Sequence, residues 1–205
     1  MKKLINQIVL VNLIIIASES CHKPCNEPNY SFKVNESFFP QKDSINVGDT
    51  IFVLSSFNKE LTDTTTKKVI DFSNAENLGT VLIISDITKF RDIQRGAIDS
   101  FSYFNLVGSI FTAPATDTLN VKQLIYTETS SIYDLKIGLI AKKAGIYIFT
   151  IPDNPDVFRK NQTKCGTANF EILNQNTQQH LYLFENILGS LSRYDSTHSY
   201  CVKVK

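Results

Sequence analysis

The chain has no tryptophan, three histidines and 8 glycines among its 205 residues. Tryptophan is a favoured aromatic platform on which sugar rings stack, so its absence argues against glycan binding, although tyrosine can also serve as a platform. The few glycines are scattered singly, and no glycine-rich loop that could cradle a phosphate is present. The sequence therefore gives no support to nucleotide binding.

Histidine, the side chain that most often acts as a base near neutral pH, is scarce. His22 follows the apolar N-terminal region, whereas His180 and His198 lie near the C-terminus, close in sequence to Glu185 and Asp195. A Ser–His–Asp arrangement is conceivable, but the Gly-x-Ser-x-Gly nucleophile elbow is missing. We predict that the chain is not an enzyme. The alternative is an exported hydrolase that uses His180 or His198.

A surplus of charge of either sign is also missing. Residues 1–20 hold two lysines and one glutamate, so removing them from the 21 basic and 20 acidic side chains leaves 19 of each. A chain with no net charge lacks the excess of positive charge that attracts the phosphate backbone of nucleic acid. We therefore expect no nucleic-acid partner.

The N-terminus is apolar over a short distance only. Lys2 and Lys3 precede a run from Leu4 to Ala17, whose densest part, Ile8 to Ala17, is about half the roughly 20 residues that cross a bilayer. Two lysines, a short apolar stretch and small residues before a boundary are the signature of a removable secretion signal. We assign residues 1–20 to a signal peptide.

The segment Ser18-Glu19-Ser20-Cys21 and the run before it resemble bacterial lipoprotein signals, in the relaxed form seen in Bacteroidetes. The usual motif has leucine three positions before the cysteine, where this chain has Ser18. The resemblance implies that Cys21 becomes the N-terminus and carries acyl chains, which would anchor the protein in the cell envelope, at the outer membrane. Ser18-x-Ser20 would also suit ordinary signal peptidase, with cleavage at the same bond and no lipid.

Four cysteines are present, and acylation of Cys21 would leave three, an odd number. We predict a disulfide between Cys165 and Cys201, because exported cysteines oxidise and both lie in the C-terminal third. Cys25 would then be a free thiol. Without acylation a second bond becomes possible and three connectivities stay open. Buried, unpaired thiols are the remaining alternative.

The segment from Cys21 to Cys25 places His22 between two cysteines, but it fails the Cys-x-x-Cys-His spacing of haem attachment. It also lacks the four ligands of a structural zinc site. We predict no metal and no cofactor.

The rest of the chain reads as strands. Tyr30, Phe32 and Val34 alternate with polar residues, which is the period of a half-buried strand. The segment Val47-Gly48-Asp49-Thr50, flanked by alternating apolar residues, resembles the opening strands of immunoglobulin-like domains on bacterial surfaces. Further strands are predicted over the ranges 68–72, 80–87, 100–111, 121–127, 170–173 and 200–204.

Two local predictions concern specific connections. Leu135 to Ala141 and Ile146 to Ile151 predict a hairpin whose returning strand is apolar on both faces, as in the centre of a sandwich. Thr177 is a candidate N-cap for a helix over 178–188 that ends at Gly189.

These patterns predict an all-β fold, an immunoglobulin-like β-sandwich with one short C-terminal helix. Residues 21–29 form a tether and residues 30–205 the domain. The predicted function is a non-catalytic binding or structural module, attached to a membrane and in contact with an envelope protein, a surface polymer or a small ligand. Besides the hydrolase, a carrier of a hydrophobic ligand is an alternative; it would require a large apolar cavity between the strands.

Overall fold

The computed structural model describes residues 28–76, 78–88, 96–114, 120–160, 166–188 and 196–205. Within these ranges the backbone is mostly β-strand with one short α-helix, which confirms the predicted all-β class. The strands are β1 Tyr30–Phe39, β2 Ser44–Ile45, β3 Thr50–Asn58, β4 Glu60–Thr62, β5 Val69–Asp71, β6 Ala75–Glu76, β7 Gly79–Asp86, β8 Phe101–Val107, β9 Ser109–Pro114, β10 Asn120–Ile125, β11 Thr127–Glu128, β12 Ile132–Ala141, β13 Gly145–Thr150, β14 Asn154–Arg159, β15 Ala168–Asn174 and β16 Ser199–Val204, and the helix is α1, Tyr182–Leu188.

Two large sheets form a β-sandwich. The first has the order β11-β12-β3-β1-β15-β14-β6, with β8 also paired to β12, and the second has the order β2-β16-β13-β7-β10-β9. Strands β1 and β15 pair in parallel, as do β16 and β2, and the other pairings are antiparallel. One cluster of buried side chains draws on both sheets and forms the core.

Aromatic rings fill the core. The Phe32 ring lies 5.3 Å from those of Phe72 and Phe170, and Phe38 stacks on Tyr200 at 4.9 Å between centroids. All five are buried, and offset or edge contacts at these distances are the favourable arrangements of aromatic pairs. The space between the sheets at these positions is occupied by side chains.

The predicted hairpin at 135–151 is wrong in its pairing. Both strands exist as β12 and β13, but β12 belongs to the first sheet, whereas β13 pairs with β7 and β16 in the second. The turn after Ala141 therefore crosses from one sheet to the other. The apolar character of both β13 faces explains this, because Tyr147 faces the core while Ile148 packs against Phe184 of α1 on the outside.

The predicted strand over 100–111 is interrupted where the chain changes sheets. Strand β8 ends at Val107, Gly108 has a φ of +84°, and β9 continues in the second sheet. A Cβ at Gly108 would lie 2.6 Å from the carbonyl oxygen of Ile125, closer than real Cβ atoms approach. Positive φ and close backbone approach both require glycine at this corner.

The outer face of the first sheet carries a row of aromatic residues. Phe39, Phe52, Gly138 and Phe104 are direct neighbours across β1, β3, β12 and β8. The Phe104 ring covers Gly138, where a Cβ would lie 2.2 Å from its Cζ atom, and it meets Phe52 edge-on. The glycine thus lets one ring lie against the sheet, while Phe39 is 58% exposed.

The helix begins later than predicted. Thr177 is not its N-cap; its hydroxyl donates instead to Oε1 of Gln41 at 3.2 Å. His180 has a φ of +54°, in the left-handed region, so a helix cannot run through it and α1 starts at Tyr182. No helix in the described ranges has the length and apolar character needed to cross a bilayer.

Candidate functional site

An open depression of about 690 Å³ lies between the connection from β1 to β2 and the residues that lead into α1. Tyr200 holds the connection from β1 to β2, which forms one side of the depression. Its ring is buried against Phe38, while its hydroxyl donates to the carbonyl of Lys42 at 2.8 Å and accepts from the Lys42 N–H at 3.0 Å. The buried Tyr200 side chain therefore ties this surface connection to the core through its hydroxyl group. The depression is lined by Gln41, Lys42, Asp43, Ser44, Gln178, His180, Leu181 and Tyr182.

A hydrogen bond closes one end of the depression. The Tyr182 hydroxyl donates to Oδ2 of Asp43 at 2.7 Å, joining residues 139 positions apart. This bond lowers the pKa of Asp43 and raises that of Tyr182, because it stabilises the carboxylate and the neutral phenol together. Both shifts lead away from neutral pH, so neither group is suited to proton transfer there.

His180, the candidate named from the sequence, lines the same depression. Its ring lies edge-on to Tyr182 at 6.3 Å and to Tyr200 at 5.6 Å. Its Nε2 is buried and has no hydrogen-bond partner among the described residues. The geometry thus places this histidine beside Asp43 and Tyr182 without a hydrogen bond to a carboxylate or a nucleophilic hydroxyl.

His198 lies elsewhere. Its Nδ1 is 2.7 Å from the carbonyl oxygen of Ile172, which fixes that nitrogen as the donor, and its Nε2 is 3.8 Å from Oδ1 of Asp153. The second distance is too long for a hydrogen bond. The same Asp153 oxygen accepts the Ile172 N–H at 2.9 Å, so these contacts connect β15 with the residues that directly precede β14 and β16. The structure therefore does not bring the two candidate histidines together.

The predicted lipid and disulfide sites fall largely outside the described residues. Cys21, Cys25 and Cys165 are outside the described ranges, whereas Cys201 lies on β16 as a buried free thiol. It packs with Ile148 and Phe184, and burial raises its pKa to about 12. The Cys165–Cys201 bond stays a prediction.

Sequence reasoning missed Glu36, a carboxyl group inside the sandwich. It occupies an inward position of β1 between Val34 and Phe38 and is 2% exposed, and neither of its oxygens has a hydrogen-bond partner among the residues that the structure describes. Burial raises its pKa well above the usual 4.5. The signal was the alternation itself, because Phe32 and Val34 continue in register to position 36. A second open depression, of about 360 Å³, includes Glu36 in its lining.

In the described ranges, no three histidine, cysteine, aspartate or glutamate side chains come together as a metal site. The two depressions are open and partly polar, unlike the enclosed apolar cavity that a hydrophobic-ligand carrier would need. The absence of a cofactor stays a prediction.

No family model matches the chain, and no curated protein matches it. Among solved structures, a cohesin module from a Clostridium perfringens family 33 glycoside hydrolase is 10% identical, with a TM-score of 0.32 over 70% of this chain and 99% of the module. The human F-spondin reeler domain (fragment 2) is 12% identical, with a TM-score of 0.30 over 75% of this chain and 99% of that domain. The CupB6 tip adhesin from Pseudomonas aeruginosa is 18% identical, with a TM-score of 0.18, over 74% of this chain and 42% of the adhesin. Likeness at this level says nothing about what the chain binds.

Proposed function

We propose that the chain is a lipoprotein of the cell envelope, anchored at the outer membrane through acyl chains on Cys21, whose β-sandwich binds an envelope component without transforming it. The N-terminal pattern supports this location, because a short apolar run follows two lysines and precedes Ser18-Glu19-Ser20-Cys21. Several acyl chains on one cysteine suffice for stable anchoring, whereas a single chain is marginal.

The observation that carries the binding role is the bond between Tyr182 and Asp43. A catalytic pair needs a base that accepts a proton near neutral pH, and a second group that either attacks the substrate or donates a proton to it. Here the phenol donates to the carboxylate at 2.7 Å, and His180 beside them has no hydroxyl or carboxylate in hydrogen-bond contact. A prearranged open depression with paired polar groups is suited to recognition.

The anchor is tested in cells that express the full chain. Wild type should incorporate an alkyne analogue of palmitate and sediment with membranes, and Cys21→Ser should lose both properties. Cys25→Ser is the matched control, because it removes a cysteine four residues away and should leave labelling unchanged. Labelling that survives Cys21→Ser would contradict the anchor.

The binding role is tested with a photo-crosslinking residue in place of Lys42, whose side chain is exposed in the depression and is not assigned a contact with the ligand. Irradiation of intact cells should give a specific adduct whose captured component has the same mass as the free component. An adduct that contains only a cleaved or otherwise altered component would point to catalysis, and the absence of any adduct would contradict a binding role for this depression.

A further inference from the structure

We infer that the depression formed by residues 41–44 and 178–182 binds the face of a neutral sugar, so that the envelope component is a polysaccharide. This inference rests on the binding role proposed above and specifies its ligand class.

Tyr182 provides the platform. It is 45% exposed, although it is one of the larger apolar side chains. Its hydroxyl is fixed by Asp43 and its ring contacts the edge of His180, so its orientation is set before a ligand arrives. A ring held in place loses little freedom on binding. A tyrosine that is exposed and immobilised in this way can stack on the C–H face of a pyranose ring, which makes tryptophan unnecessary.

The polar side chains around Tyr182 match neighbouring hydroxyl groups. Asp43 uses Oδ2 for the tyrosine and keeps further acceptor capacity, since a carboxylate has about four acceptor positions. Gln41 uses Oε1 to accept from Thr177 and retains its NH2 donors. The Gln178 side chain is exposed. Planar carboxylate and amide groups offer donors and acceptors side by side, as the adjacent hydroxyls of a sugar require.

Charge favours a neutral ligand. The lining contains one carboxylate, from Asp43, and one ammonium group, from Lys42, so it selects neither anions nor cations. A phosphate or a polyanion would therefore gain no net attraction from this lining, where the Asp43 carboxylate stands at the tyrosine hydroxyl itself.

His180 supplies an independent indication that this surface is a binding site. It is a non-glycine residue in the left-handed region, with a φ of +54°, and its buried Nε2 has no partner among the described residues. Left-handed backbone at a non-glycine residue is uncommon and clusters at functional sites, and an unsatisfied buried polar atom calls for an explanation such as a functional role. Here they occur in one residue of the depression.

The test is a glycan array probed with the full chain, purified from membranes in a detergent that contains no sugar. Wild type should bind neutral oligosaccharides and not their sulfated or uronic-acid counterparts. Tyr182→Ala should weaken binding by about two- to tenfold, the loss expected for one aromatic contact. Phe111→Ala is the matched control, because Phe111 is 47% exposed on β9, outside the depression, and its replacement should leave binding unchanged.

Gln178→Ala provides a second variant that should leave the fold intact, because it is exposed. It should also weaken binding. An array with no neutral glycan bound, or binding that is indifferent to both Tyr182→Ala and Gln178→Ala, would overturn the sugar inference. If the Lys42 crosslink then captures a protein, the binding role stands and only the ligand class fails. If Cys21→Ser keeps its lipid label, the anchor fails whatever the array shows.

Discussion

Glu36 makes a quantitative prediction about stability and pH. Its carboxyl group is buried between core positions of β1, and in the described part of the chain neither oxygen has a hydrogen-bond partner. Tyr126 is close enough to interact electrostatically with Glu36, but the Tyr126 hydroxyl donates its hydrogen bond to Oγ of Ser55 at 3.0 Å. Burial therefore favours the neutral acid and raises the pKa of Glu36 well above 4.5.

Stability changes with pH because the pKa of Glu36 differs between the folded and the unfolded chain. Below about pH 4.5 the group is protonated in both folded and unfolded chains and costs nothing by ionisation. As the pH rises further, only the unfolded chain releases the proton, and folding loses about 1.4 kcal/mol per pH unit until the folded pKa is reached. Glu36→Gln cannot ionise, so its free energy of unfolding should exceed that of wild type by an amount that grows with pH at this slope.

Urea unfolding at half-unit steps from pH 4 to 8 measures the difference between the two chains. Other titrating groups are common to both and cancel. Glu171→Gln is the matched control: Glu171 lies on the neighbouring strand β15, is partly exposed and pairs with Lys33 at 2.9 Å, so its curve should stay within about 1 kcal/mol of wild type. Parallel curves for wild type and Glu36→Gln would refute the reasoning.

Three further predictions concern a buried aspartate at a turn, a corner glycine and a thiol. Hydrogen bonds from Thr66 and from backbone N–H groups lower the pKa of Asp63 to about 2, so its contribution is present above pH 3.8 and is lost as the pH falls toward 2. Asp63→Asn should therefore unfold more easily in urea at pH 7, with a smaller difference at pH 2. Gly108→Ala should destabilise by about 2 kcal/mol in thermal or urea unfolding, because of strain and its contact with a backbone carbonyl. Gly48→Ala has positive φ but open space and should cost less. Cys201 should resist iodoacetamide at pH 8 in the native protein, as followed by mass spectrometry, because its thiol is buried.

Each of these has a contradicting result. A difference for Asp63→Asn that is constant with pH would show that its hydrogen bonds are not the cause. Equal losses for the two glycine variants would remove the steric argument. For the thiol, rapid alkylation of Cys201 in the native protein would contradict its burial. In protein unfolded without reductant, Cys201 should stay unreactive if it is bonded to Cys165 as predicted, and alkylation under those conditions would end that pairing.

Local patterns predicted most of the strands, because burial on one face imposes a period of two that a single sequence records. Strand β13 is the clearest case: its apolar character on both faces correctly indicated a central position. The same pattern could not say which strands pair. The hairpin from β12 to β13 failed because its turn joins two sheets, and that choice depends on α1, which covers Ile148 from a distant part of the chain.

The candidate site was predicted in one residue only. His180 was named from the sequence, but its neighbours Asp43 and Tyr182 are 139 residues apart and meet beside the paired strands β2 and β16. Nothing local marks such a contact. The left-handed conformation of His180, which shifts the start of α1, was equally hidden, since glycine and not histidine is the usual signal for it.

The most direct measurement of the central claim is the mass of the N-terminal peptide from the membrane-bound protein. We expect a peptide that starts at Cys21 and carries acyl chains. A peptide that still starts at Met1, from protein protected inside the cell, would contradict both the location and the proposed role.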